Sequence, residues 1–483
     1  METKKKRKLK KSVVFKGISL VVAAISLLMF ILLVRLDIFP LKYLIIAFVI
    51  LLLIDCGLYF LMSRKNYKLR LSGTILSIVL VIFFSVAMHY QNATLSFFES
   101  IQFLNIQTEN YYVVTSKMKS YDSIDDLADK RLVYVDDRKG VNKAVDDIDK
   151  QVKLTKNTVS DNSNLFNALF NEDCEAALIE QGEYKLYEEM NSNISSELKV
   201  ISTITVHVEG ENITKDVKIT QEPFSVYVTG IDTYGELNTV SRSDVNMVIT
   251  VNPTTHQILL TSIPRDYYVS IAGSTGLKDK LTHAGLKGVE TSVKTIENLL
   301  EMDINYFLRI NFTSLVEIID AIGGVDVDNP FEFTADYEEN NEHIYYVFPK
   351  GTNHLGGKQA LAYVRERYGL REGDVARARH QQQVLSAVIE KMSTSTILTK
   401  YSQILGSIEG DFTTNLSLAN ITGFIEWQLD GMPSWTVESM VLTGSDASRK
   451  TASMPDLYSS VMIPDEEVVQ EAIQKINDIT GQV

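Results

Sequence analysis

Five of the eleven arginines that follow residue 90 crowd into one short stretch, Arg365-Glu-Arg367-Tyr-Gly-Leu-Arg371-Glu-Gly-Asp374-Val-Ala-Arg377-Ala-Arg379-His-Gln381. A guanidinium is a planar fork that stays charged at any relevant pH and grips phosphate through paired hydrogen bonds. Such a concentration of cations within an otherwise acidic region is a candidate phosphate site. Arg377 and Gln381 stand four residues apart, which puts them on one face of a helix. Arg379 points roughly 200° away from Arg377 on the same helix. Arg365 and Arg367 cannot both face one way in a regular helix, so a helix is expected to end there, with Gly369 and Gly373 turning the chain back. The plainer reading is a solvated amphipathic helix whose arginines are neutralised by Glu366, Glu372 and Asp374.

Two carboxylates form the second candidate. Gly230-Ile-Asp232 and Arg242-Ser-Asp244 place them twelve residues apart, each at the boundary of a predicted strand. If those strands are neighbours, both carboxylates can reach one rim, where two hard oxygen ligands together with phosphate oxygens and waters suit Mg²⁺. An Asp after a strand is more often a turn former. Ile263-Pro264-Arg265-Asp266 ends the next predicted strand and would bring Arg265 to the same rim, against the plainer reading of a surface ion pair. Other chemistries are excluded. Gly351-Thr-Asn-His-Leu-Gly-Gly-Lys358-Gln359 has one residue too many for a phosphate-cradling loop, and Gln359 replaces the metal-binding Ser or Thr. There is no Gly-x-Ser-x-Gly nucleophile elbow and no paired-histidine metal motif, and His283 and His380 read as structural.

The elements that must position these groups alternate between strand and helix. Strands are expected at 224–230, 245–251, 258–263 and 306–311, the inner ones as continuous apolar runs of a buried sheet. Helices fit 291–301, 313–322 (stopped by Gly323-Gly324), 358–365 and 375–392. The fold class is therefore α/β, with a larger layered domain over 223–483. Ahead of it, 110–205 reads as a small accessory α/β module similar to one lobe of a solute-binding domain, with Ser123 as a helix cap and a scaffolding or partner-docking role favoured over ligand capture. Residues 92–109 read as a linker or an emerging helix, and 206–222 as a connector.

The first 91 residues read as an anchor. Apolar runs at about 13–34, 43–62 and 73–88 each approach the length that crosses a hydrocarbon core. Basic clusters at Lys4–Lys11 and at Arg64, Lys65, Lys68 and Arg70 fall on the cytoplasmic side by the positive-inside rule, so three crossings put the rest outside the cell. Residues 1–90 carry fourteen Lys/Arg and three Asp/Glu, which leaves 33 basic and 58 acidic residues and a charge of −25 for 91–483. That acidic exterior disfavours nucleic-acid binding. Asp55 sits inside the second run, where a carboxylate is a functional suspect by default. The two cysteines, Cys56 in the membrane and Cys174 outside, cannot plausibly pair, which points to a bacterial surface protein without disulfides.

Taken in order, Phe224–Asp232, Arg242-Ser-Asp244, Pro264-Arg265-Asp266, Lys280-Leu-Thr-His283-Ala-Gly, Ile322-Gly-Gly-Val-Asp-Val, Gln359-Ala-Leu-Ala-Tyr-Val-Arg365-Glu-Arg367 and Asp374-Val-Ala-Arg377…His380-Gln381 resemble the LytR-CpsA-Psr family. The three-span anchor and accessory module look like its capsule-associated streptococcal members. The resemblance implies a membrane-anchored phosphotransferase that moves a glycopolymer from a polyprenyl-pyrophosphate carrier to peptidoglycan. It implies Asp232 and Asp244 for Mg²⁺, with Mn²⁺ as the alternative metal. For the pyrophosphate it implies Arg265, Arg365, Arg367, Arg377 and Gln381, with Arg242 nearby. The family often has Arg where this chain has His380, so Arg379 is the candidate replacement for that contact. Further implied partners are membrane lipid and the capsule polymerase, export and chain-length proteins. The rival functions are a noncatalytic regulator or sensor of polymer export, and a polyprenyl-pyrophosphate phosphatase.

Overall fold

Each of the three apolar runs forms one helix: α1 (Glu2–Arg35), α2 (Leu41–Ser63) and α3 (Tyr67–Ser100). Their membrane-length segments are Val14–Arg35, Leu41–Ser63 and Tyr67–His89. The computed structural model describes residues 2–100, 106–231, 240–274, 276–339, 342–367, 370, 373–394 and 412–481. The chain divides into two compact units, one of 1–102, 392–410 and 417–434 and the other of 103–391, 411–416 and 435–483.

In the anchor unit the three helices pack through Val22, Met29, Leu51, Leu58, Met62 and Phe84. Leu20, Leu27, Leu53, Ile78 and Phe83 stay exposed, as expected for side chains whose solvent is lipid. Asp55 lies near Ser26 of α1, and its Oδ1 is buried without a hydrogen-bond partner among the described residues. The helix Leu418–Gly431 joins this unit, with Lys42 Nζ 2.7 Å from Asp430 Oδ1. The domain expected over 223–483 is thus interrupted there. The ion pair links residues 388 positions apart, a separation that local sequence patterns cannot register.

The second unit begins with the accessory module. Its strands are β1 (Ile106–Ser116), β2 (Arg131–Val135), β3 (Thr155–Val159), β4 (Ala176–Glu180) and β5 (Leu198–Glu209), in the order β3-β2-β4-β1-β5. Strands β2, β3 and β4 are parallel, and β1 runs against β4 and β5. Alternate residues of one strand serve opposite faces. Ala176 and Leu178 meet α4 (Lys139–Asp149) in one core, while Ala177 and Ile179 meet α5 (Asn162–Phe170) and α6 (Gln181–Met190) in another. A short helix α7 (Ser192–Glu197) leads into β5. Ser123 caps a 3₁₀ turn, Ile124–Leu127, in a capping box with Asp126. The β1–β5 ribbon runs four residues beyond the expected module at each end, from Ile106 paired with Glu209, because backbone pairing continues past the last core residue.

The larger sheet orders as β16-β11-β6-β7-β8-β17. Its strands are β6 (Phe224–Gly230), β7 (Val245–Asn252), β8 (Gln257–Ser262), β11 (Tyr306–Ile310), β16 (Phe412–Thr414) and β17 (Thr436–Val441). Between β8 and β11 lie β9 (Tyr268–Val269), β10 (Asp279–Lys280), α8 (Leu281–Ala284) and α9 (Val289–Leu300). One face of the sheet buries Tyr227, Val248, Leu259 and Phe307 against Val293, Ile296 and Leu300 of α9 and Val469, Ala472 and Ile476 of the C-terminal helix Glu466–Thr480. Helix α10 (Phe312–Ile322) stops at Gly323 and Gly324, both at positive φ. A Cβ on Gly324 would stand 2.4 Å from His354 Nε2, so that turn needs glycine on two counts. The ribbons β12 (Val325–Asn329) with β15 (Gly351–Leu355), β13 (Phe333–Glu339) with β14 (Glu342–Phe348), and β18 (Gly444–Lys450) with β19 (Tyr458–Pro464) were not anticipated. Helices α11 (Gly357–Arg365) and α12 (Asp374–Met392) carry the arginine-rich stretch, and α11 ends at Arg365 as its conflicting facings require.

Candidate active site

Strands β6 and β7 are antiparallel neighbours, with Gly230 opposite Val245. The Asp244 amide donates to the Gly230 carbonyl at 2.9 Å, so Asp244 stands beside the end of β6, two residues before Asp232. Asp232 itself lies outside the described residues. Strand β8 returns antiparallel to β7 and ends at Ser262 opposite Met247, which delivers Arg265 to the same edge. There Arg265 Nη1 donates to Asp244 Oδ1 at 2.8 Å, and its Nε lies 3.8 Å from Asp266 Oδ2. Lys280 Nζ completes this side 3.0 Å from Asp266 Oδ1.

The second half of the site comes from α11 and α12. Asp374, in the first turn of α12, sets Oδ1 2.8 Å from Arg377 Nη2 and 3.2 Å from Arg367 Nε. The two halves act on each other electrostatically. Burial works against the Arg265 charge, yet Asp244, Asp266 and Asp374 outweigh it and hold its proton above the ordinary guanidinium range. Arg377 moves the opposite way. Burial lowers it, Asp374 opposes that, and repulsion from Arg265 and Arg367 lowers it further. Three cations from segments about a hundred residues apart are therefore close enough to feel one another, among the carboxylates of Asp244, Asp266 and Asp374. Arg265 Nε is a buried donor with no hydrogen-bond partner among the described residues, open to an oxygen of an anion.

The remaining predicted residues fall around this core. Arg365 ends α11 with an exposed side chain, two residues before Arg367. Gln381 is half-buried and its Nε2 reaches the Val364 carbonyl at 3.5 Å, tying α12 to the end of α11. Arg242 turns to the accessory module, where Nη1 and Nη2 each donate to one oxygen of Glu189 at 2.9 Å. Arg371 lies outside the described residues, and Arg379 is exposed.

His380 is not a surface contact. It is 3% exposed, stacks on Tyr363 at 4.2 Å and Phe333 at 4.9 Å, and its Nδ1 lies 3.2 Å from the Tyr363 carbonyl. Burial pushes its pKa down to about 4, so the ring is neutral near pH 7 and supplies no charge to the site. His283 is also structural, its Nδ1 2.7 Å from Asp279 Oδ1 inside the core.

Three roles go beyond the sequence reading. Asp374, a counterion in the plainer reading of the stretch, is a partly buried acid shared by Arg367 and Arg377, with the (i, i+3) spacing to Arg377 as its signal. Gln382 donates to the Leu260 and Met440 carbonyls and so seats α12 on the sheet. Arg309, an arginine inside an apolar strand, is 6% exposed and donates to Ser241 Oγ at 2.7 Å, beside Arg242.

Among the described residues no group of three or more His, Cys, Asp or Glu is arranged to hold a metal. Mg²⁺ does not need such a group, since one or two carboxylates suffice when phosphate oxygens and waters fill its shell. The hard oxygen donors of Asp244 fit that chemistry.

Comparison with known proteins finds a matching family model and several relatives. A model described as the LytR_cpsA_psr family matches residues 184–472, more than half of the chain. A polyisoprenyl-teichoic acid–peptidoglycan teichoic acid transferase, TagU, from Bacillus cereus is 41% identical over 206 residues, which is 42% of this chain and 64% of that relative. The chain thus spans less than two thirds of that relative's length. The TagV transferase of the same description from Bacillus subtilis is 34% identical over 270 residues, 55% of this chain and 67% of the relative. The crystal structure of B. subtilis TagV aligns with a TM-score of 0.46 at 30% identity, over 55% of this chain and 99% of that one.

Proposed function

The chain belongs to the LytR-CpsA-Psr family, and on that premise we propose that it transfers a phosphate-linked cell-wall or capsular glycopolymer from a polyprenyl-pyrophosphate carrier to peptidoglycan. The observation that carries this reading is the mutual electrostatic contact of Arg265, Arg367 and Arg377 around Asp244 and Asp374. A pyrophosphate is the anion whose charge and oxygen count suit three guanidinium forks at one place. The relatives' names, which specify polyisoprenyl-linked teichoic acid and peptidoglycan, support the same substrate classes.

In this reading Arg265, Arg367 and Arg377 hold the pyrophosphate, with Arg365, Arg242 and Gln381 at its margin. A hydroxyl oxygen of the peptidoglycan attacks the phosphorus that bears the glycopolymer. The bridging P–O bond breaks, and polyprenyl phosphate departs with the electron pair. The hydroxyl proton passes to a rim carboxylate, Asp232 ahead of Asp244. Such a reaction asks mainly for positioning and for neutralisation of charge on the phosphate oxygens, which fixed guanidiniums provide. Asp244 and Asp232 would hold Mg²⁺, or Mn²⁺, which when bound adds charge neutralisation at the same oxygens. The three apolar helices anchor the protein in the membrane, with the α/β unit on the outer side.

The test incubates the full-length protein, in lipid nanodiscs with Mg²⁺, with polyprenyl-pyrophosphate-linked glycan and peptidoglycan. A phosphodiester-linked adduct is expected, lost on treatment with EDTA and lost in Arg265→Ala and Arg377→Ala. Polyprenyl phosphate released without any adduct would make the protein a phosphatase. Carrier bound and left intact would make it a noncatalytic binder of the export machinery.

A further inference from the structure

In sheets with parallel strands, ligands bind beyond the carboxyl ends of the strands. In the accessory module that edge carries Arg138 after β2, Asn162 after β3, Glu180 as the last residue of β4, and Glu183 after it. It is already filled. Leu286, in the turn Gly285–Lys287 that follows α8, enters the module core beside Leu165, Tyr184 and Tyr187. A Cβ on Gly182 would stand 2.6 Å from Leu286 Cδ2, so the approach is close. Arg138 Nη1 donates to the Leu286 carbonyl at 2.8 Å, while its Nη2 is held by Glu183, which in turn accepts from Asn162.

The gripped turn is directly coupled to the candidate active site. Four residues before Leu286, the Thr282 amide donates to the Arg265 carbonyl at 2.9 Å, and the Thr282 carbonyl accepts from the Ser243 amide at 3.2 Å. Gly285 packs so tightly on Ser241 and Ser243 that a Cβ there would lie 2.5 Å from the Ser241 carbonyl. The same 240–244 stretch is held twice more by the module, through Val240 N to the Thr108 carbonyl at 3.0 Å and through the Arg242–Glu189 pair. Module contacts therefore converge on the backbone that carries Arg242, Asp244 and Arg265.

We infer that the accessory module is an internal brace and not a solute receptor, and that Arg138 is a positioning residue that fixes the Arg265–Asp244 rim through Leu286. The sequence of contacts runs from Glu183 to Arg138, to the Leu286 carbonyl, along the turn to Thr282, and from Thr282 to both Arg265 and Ser243. A lysine at 138 keeps the charge but cannot bond Glu183 and the Leu286 carbonyl at once from a planar fork. Losing a hydrogen bond from a charged donor should loosen the turn by about tenfold in its opening equilibrium.

The brace is tested on the full-length protein by hydrogen exchange, which needs no assumption about activity, and by its affinity for inorganic pyrophosphate, which rests on the function proposed above. Arg138→Lys is compared with Val145→Ala, a truncation in the module's other core, remote from Leu286. Expected is about tenfold faster exchange of the Ser243 and Thr282 amides in Arg138→Lys, with weakened pyrophosphate binding. Val145→Ala should lower module stability while leaving both readouts as in the wild type. Unchanged exchange in Arg138→Lys, or equal acceleration in both variants, would overturn the brace. A wild-type protein that binds no pyrophosphate would count against the proposed function alone, and the exchange comparison would still decide the brace.

Discussion

Asp374 and Arg377, one turn apart on α12, form an ion pair at 2.8 Å, and the same Asp374 oxygen lies 3.2 Å from Arg367. One carboxylate thus serves two guanidiniums while a third, Arg265, stands within electrostatic reach. The arrangement keeps like charges together that would otherwise separate. It also leaves Arg265 Nε, a buried donor, without a hydrogen-bond partner among the described residues.

Asp374→Asn should therefore destabilise the α/β unit by about 1–3 kcal/mol, since the partly buried arginines lose their shared negative charge. Inorganic pyrophosphate should restore more stability to the variant than it adds to the wild type. Thermal unfolding with and without pyrophosphate measures both increments, and equal increments would show that Asp374 does not occupy the place of an anion.

Arg265 joins the two halves, bonding Asp244 and feeling Asp374. Its replacement by Ala should cut adduct formation by about a hundredfold or more, the usual loss when a fixed donor to a reacting oxyanion is removed. Arg265→Lys should recover only part of this, because a point charge does not reproduce the fork. Rates of polymer attachment at saturating carrier distinguish the two variants.

His380 predicts an acid-sensitive core. Its pKa is pushed down to about 4 in the folded protein, against 6.5 when solvated, so only the unfolded chain takes up a proton between those values. Stability from this group is complete above pH 6.5 and is lost as pH falls toward 4, up to about 3 kcal/mol. His380→Phe, which keeps the stack on Tyr363 and Phe333, should flatten the unfolding profile across that window. An unchanged profile would mean that the ring is hydrated and free to protonate.

Glu180 predicts the opposite sign in the accessory module. Burial raises its pKa to about 8, opposed by Arg138 and assisted by Glu183. The folded module therefore holds a proton that the unfolded chain releases near pH 4.5, and stability falls as pH rises from 4.5 to 8. Glu180→Gln, which stays neutral, should remove that decline; denaturant titrations at pH 5, 6.5 and 8 provide the check.

Much of the architecture is legible in residue order because it follows from short-range physics. Three apolar runs with basic flanks make an anchor whatever lies downstream, strand alternation separates the faces of β4, and paired glycines must end α10. The arginine stretch marks a candidate phosphate site by composition, and the opposed facings of Arg365 and Arg367 point to the end of α11 there. Tertiary structure decided which of those charges meet. The register of β6, β7 and β8 brings Asp244 to Arg265, and the seating of α12 by Gln382 brings Asp374 and Arg377 to them. It also buried His380 among aromatic rings and turned Arg242 toward Glu189. Those outcomes depend on contacts between residues tens to hundreds of positions apart, which no local periodicity encodes.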